Sequence, residues 1–77
     1  MKRTVQPRPE RELLATYPRR GATPGWYFRV VERSAGVWQV DGVDRYGREV
    51  SRQGEDVEML MRDCEADAAA IAGESKP

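Results

Sequence analysis

The sequence predicts an α+β fold: a three-stranded antiparallel meander packed on one face by a C-terminal amphipathic helix (βββα), with a short N-terminal helical turn. Three observations carry that expectation. Arg33-Ser34-Ala35-Gly36 and Asp44-Arg45-Tyr46-Gly47 each end in glycine, the layout of a type I turn that closes into a bulge at positive φ. The stretches flanking these turns are apolar at alternate positions, the period of a strand. From Val57 onward the apolar period lengthens to three and four, as one buried helical stripe requires.

Taken in order, residues 1–9 are polar, contain two prolines and carry Lys2, Arg3 and Arg8, the composition of a loose arm. Pro9 to Ala15 can form a helical turn, with Pro9 near its first position, Glu10 and Glu12 favourable at its start, and Leu13, Leu14 and Tyr17 on one side. Pro18 stops it. Arg19 to Gly25 reads as a linker through Gly21, Pro24 and Gly25. The expected organisation is therefore an arm, helical turn and linker over 1–24, a βββα domain over 25–73 and a frayed tail over 74–77.

Counting outward from the turns, with Arg33 facing Val37 and Asp44 facing Arg48, puts Trp26, Phe28, Val30, Trp38, Val40, Gly42 and Val50 on one face. Gly54-Glu55-Asp56 then breaks the chain and caps a helix, with Asp56 the expected N-cap and Glu58 adding charge to the first turn. Val57, Leu60, Met61, Cys64, Ala68 and Ile71 form its buried stripe, and Gly73 marks its end.

Composition narrows the function. The 77 residues carry 13 basic and 13 acidic groups, so no global basic field attracts nucleic acid. The distribution is dipolar: residues 1–38 hold eight basic and three acidic groups, residues 39–77 five and ten. Histidine is absent, the single cysteine lies on the helical stripe, and Ser34 and Ser51 have no base beside them. Neither an enzyme, a metal site nor a cofactor is expected. No apolar run reaches membrane-spanning length, residues 1–9 lack a signal-peptide core, and a cytoplasmic, reducing setting follows as the expectation.

Two surfaces are the candidate contact sites. The register sends Tyr27, Arg29, Val31, Val37, Gln39, Asp41 and Val43 to the sheet face away from the helix, with Arg29 opposite Asp41 and Tyr27 opposite Val43. Tyr27, Val31, Val37 and Val43 would form an apolar patch rimmed by charge, which calls for an occupant. That occupant is the chain's own Leu13, Leu14 and Tyr17, a second subunit or a foreign protein. Glu58, Asp63, Glu65 and Asp67 make up the second candidate, an acidic outer face of the helix. A three-stranded meander also leaves two edges open, Trp26 to Arg33 and Arg48 to Gln53.

In layout, Gly54-Glu55-Asp56-Val57-Glu58 opening a helix after a sheet resembles the HicB-like antitoxin module. The element order is also similar to the arm-type DNA-binding domains of integrases. Size and character resemble small bacterial immunity and phage anti-CRISPR proteins, which implies action by surface contact. The expected function is a small non-catalytic protein-binding module, an inhibitor of antitoxin, immunity or anti-CRISPR type. One alternative is a nucleic-acid module using Arg29, Arg33, Arg45, Arg48 and Arg52 with the Lys2/Arg3/Arg8 arm. Another is a homodimeric accessory protein.

Overall fold

The computed structural model describes residues 7–74, so Lys2, Arg3 and the end of the expected tail lie outside the described residues. The elements are α1 (Glu10–Thr16), β1 (Arg19–Arg20), β2 (Trp26–Ser34), β3 (Val37–Asp44), β4 (Glu49–Gly54) and α2 (Val57–Glu74). All strand pairs are antiparallel, in the order β1-β2-β3-β4.

The sheet therefore has four strands, where the sequence predicted three. The expected linker contributes the extra one, with Arg19 opposite Phe28 and Arg20 opposite Tyr27. The segment between β1 and β2 doubles back, closed by hydrogen bonds from the Gly21 N–H to the Trp26 carbonyl (2.8 Å) and from the Trp26 N–H to the Thr23 carbonyl (3.2 Å). Two exposed arginines carry no alternating pattern, so this strand is made by backbone pairing rather than by a buried side-chain stripe.

The predicted register holds from Trp26↔Asp44 to Glu32↔Trp38 and from Val43↔Glu49 to Trp38↔Gly54. It departs at the first hairpin, where Ser34 rather than Arg33 faces Val37. Gly36, at φ +77°, lets the turn close tightly, and the surplus residue is absorbed in β2 as a bulge at Arg33. The second hairpin follows expectation: the Gly47 N–H reaches the Asp44 carbonyl (3.3 Å) and the Asp44 N–H the Arg48 carbonyl (3.0 Å).

Helix α2 begins as its cap predicts, with the Met59 N–H donating to the Asp56 carboxylate at 3.2 Å. It runs through Gly73 to Glu74, past the expected end. Its stripe of Leu60, Cys64 and Ala68 packs on Trp26, Phe28, Val40 and Val50, with Val30, Trp38, Met61 and Ile71 at the margin. Phe28 lies between two glycines. A Cβ on Gly42 would overlap its ring and sit 2.9 Å from Val50 Cγ2, and one on Gly21 would also overlap the ring. That is how the Phe28 ring reaches zero exposure.

Helix α1 lies on the opposite face. Leu13 is fully buried against Tyr27 and Val43, flanked by Leu14 and Tyr17. The helix begins at Pro9, whose carbonyl accepts from the Glu12 and Leu13 N–H groups, and ends before Pro18. The sheet thus lies between α2 on one face and α1 over part of the other.

Candidate functional site

Burial along β2 falls steadily from its start to its end: Trp26, Tyr27 and Phe28 are buried, Arg29, Val30 and Val31 half-buried, and Glu32 to Ser34 exposed. On the face away from α2 this gradient splits the predicted contact patch. Tyr27 and Val43, at 6% and 3% exposure, lie under Leu13 and are spent in the fold. Arg29, Val31, Val37, Gln39 and Asp41 lie further along the sheet and are half-buried.

A polar network marks the boundary. Asp41 accepts hydrogen bonds from Arg29 Nε (3.0 Å), Gln39 Nε2 (2.6 Å) and Ser51 Oγ (2.8 Å). Burial alone would raise the pKa of this carboxyl, but the three donors and the Arg29 charge outweigh it and hold Asp41 below its ordinary value. The Arg29 guanidinium also stacks on the Tyr17 ring, 4.6 Å from its centroid, so the end of α1 is tied to the sheet where the apolar cover stops. Arg20 pairs with Glu10, and the hydrogen bond from Arg20 is the main reason the Glu10 pKa falls.

The acids of α2 do not form one outer face. Asp63 and Asp67 lie on the flank toward β4, where Arg52 donates to Asp67 through Nε (2.8 Å) and a terminal nitrogen (3.1 Å) and approaches Asp63 at 3.9 Å. That Arg52 hydrogen bond lowers the Asp67 pKa. Glu65 faces the β1–β2 connection and accepts the Ala22 N–H at 2.8 Å. Glu58 is exposed. The reason is helical geometry: 58 and 65 are two turns apart on one side, 63 and 67 one turn apart on the other. The most exposed strip between them is Met59, Arg62, Ala66, Ala69 and Ala70.

The chemical groups set aside by sequence occupy structural positions. Cys64 is buried, its Sγ donates to the Val40 carbonyl at 3.5 Å, and burial pushes its pKa up to about 11, which leaves no thiolate at neutral pH. Both tryptophans belong to the α2 side of the sheet. Among the described residues, no group of three or more His, Cys, Asp or Glu is arranged to hold a metal, and no helix is long and apolar enough to cross a membrane.

A recess of about 340 Å³ lies at the β3–β4 turn between Pro24, Trp26, Tyr46 and Ala72. Its acid, Asp44, is saturated: one carboxylate oxygen accepts the Tyr46 N–H (2.9 Å) and the Arg48 N–H (2.8 Å), and the other pairs with the Arg48 guanidinium. Sequence reasoning did not single out this buried carboxylate. Its position at the head of Asp-x-x-Gly was the available signal, since an aspartate there bonds the backbone two residues on.

Sheet edges are the remaining feature of the site. The Trp26 carbonyl points toward β1, and strand alternation turns the N–H and C=O groups of Phe28, Val30 and Glu32 the same way. Strand β1 reaches only to Phe28, so among the described residues nothing pairs with the outward backbone groups of Val30 and Glu32 on that edge. Beside them the half-buried Val30 and Val31 lie on opposite faces of the sheet. Compared with known proteins, this chain matches no family model, no curated protein and no solved structure.

Proposed function

We propose that this is a non-catalytic protein-binding module whose contact surface is the uncovered half of the sheet face: Val31 and Val37, bordered by Arg29, Gln39 and Asp41. One observation carries the reading. Leu13 closes the near half of this face, and among the described residues no helix lies over the far half, although that half holds two valines beside a fixed charge network. An apolar pair set in an ordered polar rim is the composition of a contact surface. It supports action by covering another protein, as an inhibitor does.

The nucleic-acid alternative has less support. Arg29, Arg48 and Arg52, three of its five sheet and turn arginines, are paired with Asp41, Asp44 and Asp67, and a neutralised guanidinium releases few counterions from a phosphate backbone.

The test is site-specific photo-crosslinking in the source cell, with the reactive amino acid at Val37 and, as a comparison, at Ala66 on the outer strip of α2. A protein adduct from Val37 and none from Ala66 is the expected result. Adducts confined to Ala66, or containing only a second copy of this chain, would overturn the reading.

A further inference from the structure

Among the described residues two sheet edges are open, and they differ in what they offer a partner. Along β4 the side chains beside the edge on the uncovered face are Glu49, Ser51 and Gln53, all polar and exposed. Along β2, past the end of β1, a strand would find bare backbone groups at Val30 and Glu32. It would also meet apolar side chains on both faces, Val31 on one and Val30, packed against the α2 core, on the other. Backbone pairing supplies affinity in strand addition, and alternate side-chain contacts supply specificity.

Charge decides between a second copy and a foreign strand. Two β2 edges related by a two-fold axis have three registers here. Centred on Val31, the pairing sets the charged Glu32 of each copy against the other copy's Val30, an apolar side chain packed on the α2 core. Centred on Glu32, it sets Glu32 against itself. Centred on Val30, it drives Glu32 into Phe28, where β1 already sits. Like charges directly opposite are destabilising, and such charges protect natural edges from self-pairing.

We infer that the edge from Arg29 to Ser34 accepts an extended segment of another protein as a fifth strand. That segment runs antiparallel to β2 in line with β1, with an acidic residue opposite Arg33, a basic residue opposite Glu32 and apolar residues opposite Val31 and Val30. The inference rests on the protein-binding reading above and names the partner's chemistry. Every existing pair in the sheet is antiparallel, and the added strand keeps that pattern.

The probe is a short synthetic peptide with the core Glu-Lys-Val-Val, titrated into the full chain and followed by backbone amide shifts and hydrogen exchange. A Lys-Glu-Val-Val peptide serves as the charge-swapped control. The expected result is slowed exchange at the Val30 and Glu32 amides with the first peptide, and binding about tenfold weaker with the second. Glu32→Pro removes an outward N–H without a bond to β3 and should abolish the slowing, while the unbound sheet keeps its amide pattern. Protection at Ser51 and Gln53 instead, equal binding of the two peptides, or binding indifferent to Glu32→Pro would overturn the strand addition. A Val37 crosslink to another protein that persists in Glu32→Pro would leave the protein-binding reading standing and remove only the added strand.

Discussion

The first and second halves of β2 belong to one continuous strand yet occupy different environments. From Trp26 to Phe28 the strand has β1 beside it, α2 on one face and α1 on the other, and all three residues are buried. From Arg29 to Ser34 it has β3 on one side, no β1 on the other, and a face bordered at Arg29 by hydrogen bonds and a stacked guanidinium. The contrast shows how a small chain with one helix to spare distributes it. Seven residues of α1 cover one half of a face well, and a polar network seals the boundary. Burial concentrates at the covered end, and the proposed contact surface lies at the other.

That division is tested most strongly at Leu13. Leu13→Ala should cost about 2–5 kcal/mol, the range for emptying a fully buried leucine site, whereas Val31→Ala on the half-buried stretch should cost about 1 kcal/mol or less. Urea unfolding of both variants measures the difference, and equal losses would erase the distinction between the halves. A smaller effect is expected at Gly42, beneath Phe28. Gly42→Ala forces a methyl into the Phe28 ring and should cost about 1–3 kcal/mol by overpacking, read as a lower denaturation midpoint with unchanged urea dependence.

The smallest effect belongs to the boundary network and depends on pH. Because the folded state depresses the Asp41 pKa, its contribution is fully present above the unfolded value of about 3.8 and is lost as pH falls through the lower folded value. Denaturation midpoints followed from about pH 5 downward should therefore fall more steeply in the parent chain than in Asp41→Asn, which has no carboxylate to protonate. Parallel curves would remove Asp41 from the account of how the open half is held.

Much of the architecture was legible because it follows local rules. The glycine that ends each turn set the pairing of seven positions between β2 and β3 and six between β3 and β4, the Asp56 cap placed the start of α2, and the three-and-four spacing identified Leu60, Cys64 and Ala68 as its buried side. The exceptions have physical causes. Arg19 and Arg20 form a strand through backbone bonds, and two exposed arginines leave no periodic trace. The surplus residue of the first hairpin could sit at the turn or within the strand, and the bulge at Arg33 is a matter of fine geometry. The acids of α2 looked continuous as a string, but three of the four, Asp63, Glu65 and Asp67, are engaged by groups distant in the chain: Arg52 and the Ala22 N–H.

The sequence by itself determined the α+β class, the hairpins, the helix and the face on which both tryptophans pack, because turn chemistry and side-chain period act over a few residues. Only the tertiary structure decided that Leu13 closes half of the second face, that β1 covers half of an edge, and which charges are spent internally. Those outcomes depend on where α1 and the loop before β2 come to rest against a sheet formed later in the chain, and no local pattern encodes that distance.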